Sequence, residues 1–370
     1  MAKESKKEGG GIGELLAYAG DRKFLTYLGM ALSAFSQLLS FGPYVCIWFV
    51  ARDLIAVAPN WSEATDIAMY GWWAVGFALA SIVVYFVGLM CTHLSAFRCA
   101  SNIRKTTSEH LLKLPLGYFD THATGELRRI VDGCAASTET LLAHMLPDIA
   151  GAAAMVVGLL VLLFALDWRL GAACLISVVV SFGAMATMMS GKGAEFMKAY
   201  MGALVKMNKT GTEYVRGIPV VKVFQQTVYS FKAFHDAIAE YADMAQTYAG
   251  TFCRGPQVLN LTALNGLVAF LLPVALLLAP GETDFAHFMA NFTFYAIFSA
   301  VVPTAMTKLM FVGEASQMSA DSLARIRSVM DSKQLSVPAQ PKHPAGGDVR
   351  FEDVSFTYEG AEAPTVSHVS

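Results

Sequence analysis

Six apolar stretches divide this chain, and the gaps between them alternate between short and very long. The stretches cover residues 24–50, 67–92, 149–166, 170–189, 257–280 and 285–312. At about 1.5 Å of rise per helical residue, each matches or nearly matches a hydrocarbon layer about 30 Å thick. The gaps after the first, third and fifth stretches are 51–66, 167–169 and 281–284, whereas 93–148 and 190–256 follow the second and fourth. This rhythm predicts an all-α polytopic membrane protein of six long transmembrane helices, with nearly all of its remaining mass on one side of the bilayer.

Charge placement orients it. The amino-terminal tail carries Lys3, Lys6, Lys7, Arg22 and Lys23, and Lys and Arg recur through both long gaps. The short gaps hold only Arg52 and Arg169. An excess of cations on the inner side places both termini and both long gaps in the cytoplasm of a multi-pass protein of the cytoplasmic membrane. Trp48, Trp61, Trp72, Trp73 and Trp168 gather at the opposite boundary, as an interfacial aromatic belt does. A formal net charge of -2 implies no nucleic-acid partner. A mean hydropathy of +0.47 is too apolar for an ordinary soluble domain. The first stretch is too long for a signal h-region, so no secretory signal is expected. The six cysteines are scattered without a CxxC, and no His or Cys pair has ligand spacing, so neither a disulfide frame nor a metal site is expected.

The long gaps keep a helical apolar rhythm with few breakers. Two helical arms per gap would each reach roughly 40 Å past the membrane. The bends are expected where helix breakers gather. In the first gap these are Leu114-Pro115-Leu116-Gly117-Tyr118-Phe119-Asp120 followed by Thr124-Gly125-Glu126, and in the second Arg216-Gly217-Ile218-Pro219. Residues 12–20 suit a small amphipathic helix on the inner membrane surface or an unstructured tail. A polar helical segment, 314–333, follows the last stretch, and 334–347 with its prolines and glycines is a linker. In 348–358, DVRFEDVSFTY, two alternating apolar runs with one slip suggest strand–turn–strand or a bulged strand.

Two-helix excursions, a linker and a strand reading VSFTY together resemble the exporter-type (type IV) ATP-binding cassette transporters, over roughly residues 20–370. LPLGYFDTHATGELRR (114–129) is similar to that family's first intracellular bend, where Phe119, Asp120, Thr124, Gly125 and Glu126 frame the helix that rests on the nucleotide domain. GTEYVRGIPVVKVFQQ (211–226) is similar to the second, with Gly217, Ile218, Pro219 and Val221 at the bend. The resemblance implies four segments: a tail over 1–20, a six-helix transmembrane domain over 21–333, a linker over 334–347, and over 348–370 the start of a nucleotide-binding domain, incomplete within this chain. It further implies ATP and Mg as cofactors of the intact protein, a second half-transporter as partner, and Tyr358 as the ring that stacks on adenine.

Departures matter as much. No Walker A loop, GxxxxGK[ST], is present, so these residues alone are not expected to hydrolyse ATP. Ser190-Gly191-Lys192-Gly193 mimics one, but Ala186 replaces its first Gly, Gly193 replaces Ser or Thr, and no strand precedes it.

The stretches contain no Asp, Glu or Arg, and Lys308 sits near the inner end of the last. Ion-coupled carriers and intramembrane proteases generally need an ionisable group there, so energy is expected to arrive mechanically through the bends. A non-ATP carrier or scaffold is the competing reading, and a membrane-embedded enzyme lacks a catalytic constellation. Candidate cavity residues are Gln37, Asn260, Asn265, Asn291, Thr293, Tyr295 and Phe298, although Asn and Gln also serve as hydrogen-bonded glue between helices. Gly42-Pro43, Pro273 and Pro303 are expected to kink their helices, and Ala150, Ala154 and Gly158 to form a packing seam. ETLLAHMLPD (139–148) and FGPYVCIWFV (41–50) resemble the subgroup that handles iron-chelating siderophores; the substrate is otherwise not readable.

Overall fold

The computed structural model describes residues 11–223, 229–265, 267–335, 340, 346–357 and 363–370. Its chain is helical almost throughout. In order come α1 (Gly11–Ala17), α2 (Lys23–Leu39), α3 (Gly42–Ala56), α4 (Ile67–Leu111), α5 (Leu116–Thr121), α6 (Thr124–Arg128), α7 (Cys134–Thr140) and α8 (Leu146–Ala165). Then follow α9 (Trp168–Met189), α10 (Gly191–Val223), α11 (Tyr229–Thr247), α12 (Arg254–Asn265), α13 (Leu267–Leu278), α14 (Phe285–Phe298) and α15 (Val301–Met330). Two short strands, β1 (Val354–Phe356) and β2 (Val366–Val369), pair antiparallel.

Among the described residues, five helical runs are long and apolar enough to cross a membrane: Gly20–Ala56, Ile67–Leu111, Thr124–Ala165, Trp168–Met188 and Phe285–Thr304. In the expected fifth stretch the described residues on both sides of position 266 are helical, as α12 and α13, and Phe270–Gly281 is a shorter apolar helix.

Proline shapes three of these runs differently. The first stretch breaks at Ser40-Phe41, just ahead of Pro43, so α2 and α3 meet at the expected kink. The last breaks at Ser299-Ala300, where Pro303 cannot donate to the Ser299 carbonyl one turn back. Pro273, by contrast, lies inside α13, which continues through it.

A fourth proline, Pro147, follows a π-helical turn over Leu141–Met145. The Ala143 carbonyl, whose α-helical donor Pro147 would have been, accepts instead from the Thr92 hydroxyl of α4 at 2.9 Å. Ser33 of α2 donates to the Pro147 carbonyl at 2.7 Å. Three helices are thus sewn together by hydroxyls that donate to backbone carbonyls around Pro147.

Helix α2 crosses α4 closely enough that a side chain at Gly29 would strike the Gly88 carbonyl at 2.6 Å. Only glycine permits that approach. The α8 seam runs through Gly151, against Ser33 and Gln37, and Gly158, against Phe41. Ala150 and Ala154 of the expected seam are half-buried.

Two buried clusters result. One, near the short turns, gathers Phe41, Leu159, Leu163, Leu170, Leu271, Phe294 and Phe298. The other, along the long arms, gathers Leu15, Ala96, Ile103, Leu141, Leu142 and Ile326.

Three expectations need correction. The chain stays helical through Arg216-Gly217-Ile218-Pro219, so no bend falls at these residues. Residues 12–20 do not lie free on a membrane surface: α1 docks on α4 and α15, burying Leu15 and Leu16. Glu14 pairs with Arg327, and Asn102 donates to the Tyr18 carbonyl at 2.7 Å. Finally, among the described residues 348–357 only β1 is strand, and its partner comes from downstream, with Val354 opposite Val369 and Phe356 opposite Val366 across an irregular register.

Candidate functional site

At the short-turn end, the α8–α9 turn and the α13–α14 turn face one another across a cavity of about 560 Å³. Its polar lining is Asp167, Arg169, Glu282, Thr283, Asp284, His287 and Asn291; Trp168 and Phe288 supply apolar wall. Asp167 caps α9, accepting from the Arg169 amide at 2.9 Å. The Arg169 guanidinium then spans the gap, 3.0 Å from Asp167 Oδ2 and 2.6 Å from Glu282 Oε1. Burial raises the Asp167 pKa, but the hydrogen bonds and charge of Arg169 outweigh it and hold the carboxyl below its usual range. Asp284 caps α14, accepting from the His287 amide at 3.0 Å.

The sequence-expected cavity residues divide into two groups. Asn291, Tyr295 and Phe298 meet on the inner face of α14, which packs on α3. Asn291 reaches the cavity floor; its Oδ1 accepts from Trp48 Nε1 at 2.9 Å. Tyr295 is a clasp and does not line this cavity. Its fully buried hydroxyl lies 2.6 Å from the Leu163 carbonyl and 2.9 Å from that of Asp167, and it accepts from the Asp167 amide at 3.1 Å. Phe298 is core, stacked on Phe294 at 5.1 Å and tilted against Phe41.

The other four stand apart. Gln37 packs against α8 at Gly151. Asn260 bridges α12 to the Ser181 carbonyl of α9 at 3.3 Å. Thr293 bonds back to its own helix at Met289. Asn265 ends α12, and its side chain lies outside the described set.

At the opposite end, Pro115 is extended and initiates α5, a separate six-residue helix, before His122 and Ala123 extend again. Leu116 and Phe119 are exposed on it, and Asp120 lies in its last turn. Thr124, Gly125 and Glu126 form the first turn of α6. Gly217, Ile218 and Pro219 are interior to α10; the Val221 side chain and all of Tyr358 lie outside the described residues.

Two groupings escaped the sequence reading. His93 and His144 meet edge to face, with ring centroids 4.7 Å apart. His110, at the end of α4, touches the Ser332 carbonyl through Nε2 at 3.0 Å and Gln334 through Nδ1 at 2.7 Å, while the Leu335 amide donates to the Lys113 carbonyl. The end of α4 is thereby tied to the chain leaving α15. Neither tie has a short-range signal, because the partners are brought together only by the fold. Among the described residues there is no cluster of three or more potential metal ligands.

A bundle of membrane-length helices, short turns at one end and two long paired arms at the other, with a separate helix at the first bend, defines a polytopic membrane protein. The model of the ABC transporter transmembrane region matches residues 27–302, and the chain belongs to that family. It is 23% identical to the mycobactin import ATP-binding/permease protein IrtA of Mycobacterium tuberculosis over 93% of its length and 39% of the relative's. It is 25% identical to IrtA of Mycolicibacterium thermoresistibile, over 88% of the chain and 36% of the relative. The ATP-dependent lipid A-core flippase of Vibrio vulnificus is 22% identical over 77% of the chain and 48% of the relative. The chain therefore spans less than half the length of each of these relatives.

Proposed function

We propose that this chain is the membrane-spanning part of an ATP-driven transporter that works by alternating access, with residues 348–370 opening a nucleotide-binding domain in which ATP and Mg are held. The observation that carries this reading is α5. It is a separate helix at the far end of the first arm, and it turns Leu116 and Phe119 to solvent where a cytoplasmic domain would rest. The cation placement supports cytoplasmic termini and arms, and hence short turns on the outer face of the cytoplasmic membrane. Tyr358 would stack on adenine, and Gly217, Ile218, Pro219 and Val221 would approach the second contact.

A second half-transporter is the expected partner. Helices α10 and α11 pair chiefly with one another and leave Met201, Val205, Val215 and Ile238 exposed, a surface that a related chain would cover. The substrate reading is a large amphipathic molecule. A siderophore is favoured over a lipid by the longer match to the mycobactin import proteins.

The test uses the complete protein in liposomes. Phe119→Ala should cut substrate transport about tenfold, as loss of a contact-centre aromatic does, while ATP turnover stays within about twofold. Gly217→Val should do the same more weakly, because Gly217 lies inside α10. Transport and ATP turnover that remain coupled in both variants would remove the support for these bends as coupling elements.

A further inference from the structure

Asn291 is 97% buried: only 3% of it is exposed, and that part lines the cavity between the two short turns. Its amide has a fixed orientation. An indole N–H only donates, so Trp48 Nε1, 2.9 Å away, must face Oδ1. The Asn291 NH2 group is then left on the cavity floor with no hydrogen-bond partner among the described residues. That NH2 group opens onto the cavity, where it can donate to whatever occupies it.

The walls say what that acceptor belongs to. Three carboxylates, Asp167, Glu282 and Asp284, stand against one guanidinium, Arg169, so the lining carries an excess of acidic groups. Arg169 is already engaged by Asp167 and Glu282 and offers little to an incoming anion. Trp168 is exposed beside the cavity and provides apolar surface for a chain or ring.

We propose that this cavity is a binding site for a head group that is neutral or cationic and presents a carbonyl-type oxygen to Asn291 Nδ2, with its apolar remainder running along Trp168 into the bilayer. Anionic head groups are disfavoured by the carboxylates. The site deepens the transporter reading as an outer substrate subsite, and rests on that reading only for the direction of traffic.

The experiment measures indole fluorescence of the complete protein in lipid nanodiscs, since Trp168 lines the cavity and Trp48 is bonded to its floor through Asn291. The probes are N,N-dimethyldodecanamide, a neutral acceptor with no N–H, and dodecanoate, its anionic counterpart. The amide should bind saturably and roughly tenfold more tightly than dodecanoate, about the effect of one well-made hydrogen bond plus charge exclusion. Asn291→Asp keeps the acceptor for Trp48 but removes the donor, and should lower amide affinity by about tenfold. Trp48→Phe, which frees Oδ1 but leaves the amide donor, should retain binding as read from Trp168. A fluorescence change that rises linearly with probe and is the same in Asn291→Asp would show partition into lipid only and overturn the site, as would equal affinity for both probes. ATP turnover is followed in parallel. Saturable amide binding that leaves turnover unchanged upholds the site and counts against its role in transport.

Discussion

The two long arms have the same topology and opposite physics. The first, made by the lower half of α4 and the run from α6 through α7, is braced by α1 and α15. It buries Ala96, Cys99, Ile103, Ala135, Leu141 and Leu142 with Ile326. The second, α10 with α11, has no such brace among the described residues. It is held by ring stacking, Tyr200 on Tyr241 at 5.3 Å, Tyr214 on Phe234 at 5.7 Å and Phe196 against Phe252 at 4.8 Å, with a Lys206–Glu240 ion pair at 2.5 Å. An arm with a core transmits force as a rigid lever, whereas an arm with one contact surface depends on whatever covers its other face. The difference implies that within one chain the first bend is positioned and the second is only held in pair.

The sharpest way to break this comparison is to truncate one side chain in each arm. Ile103→Ala empties a fully buried site and should cost about 2–4 kcal/mol, seen as a large fall in Tm of the detergent-solubilised chain. Met201→Ala, at an exposed position, should change stability by less than about 0.5 kcal/mol. Equal losses would mean that the second arm has a hidden core of its own.

A smaller effect tests the ring stack. Tyr200→Ala removes contacts to Tyr241 and Tyr248 and the hydroxyl pair at 2.9 Å. It should weaken the α10–α11 pairing by about 1–2 kcal/mol. Amide hydrogen exchange should quicken along α10 and α11 and stay unchanged in α4 and α7. Exchange that quickens in both arms would show that they are energetically one unit.

The contrast also explains what could be read in the sequence. Pro115 marks the first bend because the backbone there is extended, between the end of α4 and the start of α5. Pro219 misled because α10 is open: Val215, to whose carbonyl Pro219 cannot donate, is exposed in this chain, and the helix runs on. Asn291 could be picked out as a polar residue in an apolar stretch. Its neighbours Asp167, Arg169 and Glu282 could not, because charges in short turns look like ordinary interface residues until two distant turns are seen face to face. The docking of α1 was equally hidden, since Leu15 and Leu16 are consistent with a lipid surface or with a protein groove.

The smallest expected effect concerns the outer edge of the first arm's brace. On α15, Asp321 accepts from Arg325 Nε at 2.9 Å, and this hydrogen bond, assisted by the Arg325 and Arg129 charges, lowers the Asp321 pKa. A carboxyl whose folded pKa is depressed stabilises the fold above its unfolded value, and the contribution disappears as pH falls through the lower, folded value. The brace should therefore be fully charged at neutral pH and weaken only below the ordinary carboxylate range of about 3.9. Both groups are solvent-exposed, so the consequence is confined to local opening of α15 and α7 and does not extend to global unfolding. Asp321→Asn should quicken exchange there slightly at neutral pH and match the unsubstituted protein in acid. A difference that persists undiminished in acid would show that Asp321 acts through packing, and that the brace owes nothing to its charge.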